Sequence, residues 1–324
     1  MTLKIGIIGM GFMGATHLSA WRLVPQADIA AVCVRNPEIT KAKQGNIETG
    51  ASDLDLDGIN IYTDLEEMLA RESLDAVSIT LPTHLHKETS IRCLEAGLHV
   101  LCEKPMALND QDCREMIETA NASGKILMVA QCIRFWPEYA WLKETLESGA
   151  LGRILAADFQ RLTYAPSWSG ETWFSDTAKS GGISLDLHIH DLDFVLYLLG
   201  KPESTISRKS HFPNGTTAHI QTWLDYPEEL TVSATASWLM PESFGFQMSF
   251  NVVFEKGLAA FDGKKLTIYR DHSDPDEPSL PQKTAYQSEV SHFADLISGR
   301  AHHPVISPGE AAESVRIALT TEQS

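Results

Sequence analysis

Lys4-Ile5-Gly6-Ile7-Ile8-Gly9-Met10-Gly11-Phe12-Met13-Gly14-Ala15 is the stretch on which the fold turns. Residues 4–8 form a short apolar run that reads as a strand, and residues 15–23 carry a helical period that stops near Pro25. The G-x-G-x-x-G run lies between them. Gly9 permits a tight turn, Gly11 lets a pyrophosphate approach the backbone, and Gly14 lets helix and strand pack closely. The helix N-terminus, where Phe12 and Met13 lie, then offers its free N–H groups to the anion. Such a run is weak evidence alone; a strand before it and a helix after it supply the confirming context.

Outward from this turn, the first 125 residues keep alternating short apolar runs with helical patterns, as a parallel α/β sheet does. Strands are expected at 29–34, 61–62, 76–80, 99–102 and 126–130. Helices are expected at 64–70, 86–95 and 109–123, with one more before the polar 46–60 stretch. After Gln131 the pattern changes. A helix at about 138–147, a strand at 154–162 and a helix at 183–199 lead into alternating runs at 216–224, 230–238 and 246–254. Turn signals separate these runs, so an antiparallel sheet is expected over 204–269. The polar, Pro-containing residues 271–281 are the best candidate for disorder, and helical patterns at 288–297 and 308–320 follow. The expected class is α/β: a Rossmann dinucleotide-binding domain over 1–125, then an α+β domain over 126–324.

Composition narrows the field further. The 324 residues include 26 Lys and Arg against 43 Asp and Glu, a formal net charge of −17. A surface this acidic argues against a nucleic-acid partner, although a local basic pocket can still hold a small anion. No apolar run approaches the roughly 18 residues of a membrane span. The strand pattern begins within five residues of Met1, so no leader is expected. Cys33, Cys93, Cys102, Cys113 and Cys132 include no Cys-x-x-Cys pair. They read as thiols in a reducing compartment, and the expected location is cytoplasmic.

The second strand of a dinucleotide fold that prefers NAD ends in an acid, which holds the adenosine ribose hydroxyls. Here the position twenty residues beyond Gly14 is Val34, followed by Arg35. An arginine there can pair with a 2′-phosphate, so NADP is the expected cofactor, with NAD the alternative.

Glu103-Lys104-Pro105 adds a second signature. Together with the glycine run, Pro82-Thr83-His84-Leu85-His86, Arg134-Phe135-Trp136-Pro137 and Gly181-Gly182-Ile183-Ser184-Leu185-Asp186-Leu187-His188-Ile189-His190-Asp191, the chain resembles the Gfo/Idh/MocA family. That family is named for glucose–fructose oxidoreductase and inositol dehydrogenase. The resemblance implies an NAD(P)-dependent oxidoreductase acting on sugars, cyclitols or related polyols. It also implies a second domain whose open, mainly antiparallel sheet often forms the subunit interface, hence a homodimer or homotetramer. By it, Lys104, Asp186 and His190 match the catalytic set. Gly9, Gly11, Phe12, Met13, Gly14, Arg35, Leu81, Pro82, His86, Glu103 and Lys104 are expected around the cofactor. Thr83 departs from the pattern, standing where many relatives have Asn.

The residues support those roles on their own chemistry. Oxidising a secondary alcohol needs a base near neutral pKa, which His190 supplies, and Asp186 four residues earlier shares its helix face. Asp193 is expected beside them, at the edge of a stripe formed by Leu185, Ile189, Leu192, Leu196 and Leu199. His188 falls on another face and reads as structural. Its H-x-H spacing with His190, like that of His84 with His86, lacks a third ligand, so no metal is expected. Lys104 follows a strand at its carboxyl end, where open α/β sheets bind ligands, and its ammonium can donate to a substrate oxygen. Trp168, Trp173 and Phe174 either cover a sugar ring or pack in the core or an interface. Two further readings stand beside the dehydrogenase. One is a glycosidase using NAD through transient oxidation; the other is a non-catalytic NAD(P)-binding regulator.

Overall fold

The computed structural model describes residues 2–36, 38, 54–165 and 176–323. In chain order its elements begin with β1 (Leu3–Ile8), α1 (Phe12–Trp21), β2 (Ala27–Cys33), β3 (Asn60–Tyr62), α2 (Leu65–Arg71), β4 (Ala76–Ile79), α3 (His86–Glu95), β5 (His99–Glu103), α4 (Asp110–Ser123) and β6 (Leu127–Ala130). They continue with α5 (Pro137–Ser148), β7 (Ile154–Thr163), α6 (Thr177–Ser180), a π-helical segment (Ser184–His188) and α7 (Ile189–Leu199). Then follow β8 (Ser204–His211), β9 (Thr217–Asp225), β10 (Thr231–Ser237), β11 (Phe246–Phe254), β12 (Gly257–Phe261), β13 (Leu266–Tyr269), α8 (Ala285–Ile297) and α9 (Pro308–Gln323). The chain divides into two compact units, Met1–Cys132 with Thr284–Glu313, and Ile133–Lys283 with Ser314–Ser324.

The first unit is built on a six-stranded sheet in the order β3-β2-β1-β4-β5-β6, every neighbour parallel. A parallel sheet covered on both faces needs continuous apolar strands. Ala76-Val77-Ser78-Ile79 and Leu127-Met128-Val129-Ala130 are buried at every position. Side chains place the helix starts: Asp64 accepts from the Glu67 amide at 2.8 Å, and Asn109 from the Asp112 amide at 2.9 Å. Trp21 of α1 stacks edge-on against Phe293 of α8, and its indole N–H donates to Ser78 at 2.8 Å. Two boundaries differ from expectation. The sheet runs on through β6, past residue 125, because Val100 to Glu103 pair in register with Leu127 to Ala130. Helix α8 also belongs to this unit, through its packing on α1. The helix expected before residues 46–60 lies outside the described residues.

The second unit carries a seven-stranded sheet, β13-β12-β11-β7-β10-β9-β8. It is antiparallel except that β7 and β10 run parallel, so the expected antiparallel sheet is mixed at its centre. One face is covered by α5 and α7 through an aromatic core. Tyr139 meets Phe194 at 4.8 Å and Phe250 at 5.0 Å between ring centroids, and Phe159 meets Phe194 at 5.8 Å. Across the other face, register aligns Ile206, Trp223, Ser233, Asp158 and Asn251 in one row. Ile206 and Trp223 are exposed there, with Val253 nearby. Residues 271–281, expected to be disordered, instead tie back to the sheet. Ile268 and Asp276 exchange backbone hydrogen bonds at 2.8 and 3.0 Å, and Asp276 also accepts from Arg270 at 2.6 Å.

Candidate active site

The three glycines of the turn from β1 into α1 do three different things. Gly9 has φ +96°, a conformation that side chains rarely adopt. A Cβ on it would lie 2.9 Å from the Thr80 carbonyl oxygen. A Cβ on Gly14 would sit 2.1 Å from the Gly9 carbonyl oxygen, so only glycine lets α1 approach β1 this closely. A Cβ on Gly11 would meet nothing within 4 Å. Gly11 is therefore the point where the backbone lies open to a ligand. It is also the N-cap of α1 and contributes no capping side chain, which leaves the first-turn N–H groups of Phe12 and Met13 for an anion. The Thr80 hydroxyl donates to the Gly9 carbonyl at 2.6 Å and fixes the turn against the end of β4. Strand order reverses between β1 and β4, the switch point at which such sheets bind ligands outside their carboxyl ends. Leu81 and Pro82 follow β4 at this edge and are half-buried. The cradle fits a dinucleotide pyrophosphate.

At the next edge position Arg35 stands exposed in the bend after β2, behind a buried Val34. Lys104 follows β5, half-buried, with a cis peptide bond to Pro105.

Two residues expected at the cofactor point inward instead. Glu103 is buried; its Oε1 lies 3.0 Å from His17 Nε2, and its Oε2 accepts from the Lys104 amide at 3.1 Å. His86 is buried as well, with Nδ1 2.8 Å from the Pro105 carbonyl oxygen and Nε2 2.8 Å from that of Leu81. Burial holds its pKa below the ordinary value, while the two carbonyls and Glu103 act in the opposite direction. Both side chains are thus committed to protein atoms, as buried polar groups must be. A motif read in one dimension does not say to which side of a strand or helix its members point.

In the second unit the expected continuous helix over 183–199 begins as a π-helical turn, Ser184–His188, and becomes α-helical at Ile189. Single π-turns cluster at functional sites. Asp186 and His190 are both half-buried, whereas residues 183–185, 187–189 and 191–195 are buried, so the two share the more accessible side of this element. His188 is buried, and its Nε2 lies 2.8 Å from the Thr222 hydroxyl. Burial pushes its pKa down to about 3, which makes it a neutral structural tie.

Asp193 is not beside the site. It is fully buried, accepts from Arg134 Nε and Nη2 at 2.8 Å each, and takes a third hydrogen bond from Ser314 at 2.7 Å. Asp191 is likewise buried against Arg161, at 3.1 and 3.0 Å. The missed signal was two carboxylates flanking Leu192 in an apolar helix, which demand buried arginines. His17 and Glu289 were missed too. Trp168, Trp173 and Phe174 lie outside the described residues. Among the described residues no group of three or more His, Cys, Asp or Glu is placed to hold a metal ion, and no helix is long and apolar enough to cross a membrane.

Comparison with known proteins adds an independent line. A family model described as the oxidoreductase family with an NAD-binding Rossmann fold (GFO_IDH_MocA) matches residues 3–131, and the GFO/IDH/MocA C-terminal domain matches 139–260. The 2,7-anhydro-N-acetylneuraminate hydratase of Mediterraneibacter gnavus is 34% identical over 200 residues, 61% of this chain and 50% of that one. The trans-1,2-dihydrobenzene-1,2-diol dehydrogenase of Macaca fascicularis is 30% identical over 242 residues, 73% of this chain and 69% of the relative. The matches thus span from half to about two thirds of these relatives' lengths. A solved levoglucosan dehydrogenase, in complex with NADH and levoglucosan, superposes with a TM-score of 0.84 at 20% identity, covering 100% of this chain and 97% of that one. At that identity the likeness is one of fold.

Proposed function

Given that the chain belongs to the GFO/IDH/MocA oxidoreductase family, with its NAD-binding Rossmann fold, we propose that it is an NAD(P)-dependent dehydrogenase or reductase of a sugar, cyclitol or related polyol. The observation that carries the reading is the cradle at the β1/β4 switch point. There Gly11 leaves open space above a helix N-terminus, and Gly9 and Gly14 tolerate no side chain. The backbone N–H groups of Phe12 and Met13 would hold the dinucleotide's pyrophosphate there, and the nicotinamide, when bound, would supply the hydride acceptor for a carbinol carbon or the donor for a ketone. His190 takes the hydroxyl proton as hydride leaves and gives it back in the reverse direction. Asp186 orients the imidazole and stabilises its cation. Lys104 donates to the reacting oxygen and stabilises the developing alkoxide. A panel of myo-inositol, levoglucosan, D-glucose and D-xylose, each with NAD and with NADP, tests the reading through absorbance at 340 nm. Binding of both cofactors with no absorbance change on any member would sink it and favour a non-catalytic binder.

Arg35 supports NADP as the preferred cofactor, since Val34 before it cannot accept from ribose hydroxyls. The exposed Ile206, Trp223 and Val253 on the open face of the second sheet support a homodimer or homotetramer, and light scattering at micromolar concentration that returned a monomer would count against it. The five cysteines, none of them in a disulfide, suit the cytoplasm.

A second reading is favoured by the relative that is, by its name, a hydratase. Hydration leaves the oxidation state of the substrate unchanged overall. On this reading the same groups oxidise a carbinol transiently and then reduce it, with the cofactor retained, as in NAD-dependent glycosidases. Protein purified with bound cofactor, and substrate consumption without accumulation of NAD(P)H, would favour it.

A further inference from the structure

Lys104 is the middle residue of a tripeptide held on both sides by buried histidines. On one side His17, in the second turn of α1, meets Glu103 Oε1 at 3.0 Å, and the other oxygen of the same carboxylate accepts from the Lys104 amide at 3.1 Å. On the other side His86, the first residue of α3, lies 2.8 Å from the Pro105 carbonyl oxygen through Nδ1. Its second nitrogen lies 2.8 Å from the Leu81 carbonyl oxygen, so the ring spans the segments that follow β4 and β5. His17 and His86 are at most 1% exposed, whereas Lys104 between them keeps partial exposure. Burying an imidazole costs free energy that an apolar side chain of similar size would not. Two such rings flank one residue: His17 reaches the Lys104 amide through the Glu103 carboxylate, and one nitrogen of His86 meets the Pro105 carbonyl.

We propose that His17 and His86 are positioning residues that fix the Lys104 backbone, and with it the origin of its ammonium. His17 acts through the Glu103 carboxylate, and His86 through the Pro105 carbonyl. This rests on the reading of Lys104 as donor to the reacting oxygen. A flexible lysine stem reaches a developing charge reproducibly only from a fixed root, and a misplacement of 1 Å costs about 100-fold in rate.

The test uses the full chain with His17→Phe, His86→Phe, the conservative His17→Gln and His86→Gln, and Lys104→Ala. Turnover is read on the fastest alcohol of the panel above, affinity is read with NADH as the probe, and residue-resolved hydrogen exchange follows the Lys104 amide. Each Phe variant is expected to lose about 100-fold in kcat while KM and NADH affinity stay within about threefold. The Gln variants, which restore amide donors, are expected to recover most of the loss. In the wild type the Lys104 amide should exchange slowly, and His17→Phe should speed it at least tenfold. Phe variants that keep kcat while Lys104→Ala loses it would overturn the proposal, as would Gln variants no better than Phe. If Lys104→Ala turns over normally, the donor reading fails instead, and amide exchange alone judges the clamp. Should a Phe variant not fold, a fast-exchanging Lys104 amide in the wild type still refutes the proposal.

Discussion

Adding one methyl group at Gly11 and one at Gly14 should break different properties of the protein. At Gly14 the new Cβ would lie 2.1 Å from the Gly9 carbonyl oxygen, 3.0 Å from its carbon and 3.1 Å from the Thr80 hydroxyl. No rotamer relieves a clash with backbone, so α1 must move off β1. Overpacking of this kind costs about 1–3 kcal/mol, which lowers the melting temperature by several degrees in a unit of this size. Gly11→Ala meets no atom within 4 Å, and its φ of −78° suits alanine. The small loss at the N-cap is offset by lower chain entropy in the unfolded state, so stability should change by less than about 1 kcal/mol. Its methyl group, however, fills the space through which a pyrophosphate would approach, and dinucleotide affinity should fall at least tenfold, or about 1.4 kcal/mol. Calorimetry of the cofactor-free variants and NADH fluorescence titration separate the two effects. A Gly11→Ala protein that binds NADH as tightly as wild type would refute the placement of the phosphates.

Other consequences follow from the same contacts. NADP should bind at least about tenfold more tightly than NAD, and Arg35→Ala should erase most of that preference with little change in NAD affinity; fluorescence titration with both cofactors decides it. Glu289 is fully buried on α8, and burial, reinforced by the charge of Glu103, holds its pKa well above the usual carboxyl range. Glu103 and Tyr286 are the titratable groups that interact with it, and Glu103 is itself paired with His17. Folded Glu289 keeps a proton that the unfolded chain releases above pH about 4.5, so its contribution to stability falls as pH rises toward the folded pKa. Glu289→Gln, which cannot ionise, should therefore gain on wild type by up to about tenfold in the unfolding constant per pH unit from about pH 5 up to the folded pKa, as read by denaturant titration. Asp193→Ala breaks the buried Arg134–Asp193 ion pair and should cost about 3–5 kcal/mol in the same assay.

The first unit was legible because its signals are local and redundant. A glycine run between a strand and a helix constrains three backbone positions at once, and Gly9, Gly11 and Gly14 each behave as that pattern requires. Strand β6 was legible as a strand yet fell on the wrong side of the expected boundary, since partnership with β5 is a long-range property. The parallel pairing of β7 with β10 was invisible for the same reason: alternation reports which face is buried, not which strand lies alongside or in what direction. At the site, residue types were easier to read than orientations. Glu103 and His86 carry chemistry that suits a cofactor, but their side chains point to His17 and to backbone carbonyls. Asp193 looked like a neighbour of His190 by spacing, and the unseen term was Arg134, 59 residues away. The π-turn at Ser184–His188 left no mark in the hydrophobic period, because Leu185 and Leu187 are buried in either helix type.

On the proposed mechanism His190 takes the hydroxyl proton as hydride leaves the carbinol. The most direct test compares kcat of His190→Ala with wild type on the same alcohol, alongside the dissociation constant for NADH. Loss of a general base predicts a fall of about 10²- to 10⁴-fold in kcat, with cofactor affinity unchanged. Turnover within about threefold of wild type would contradict the account and send the search for the base elsewhere.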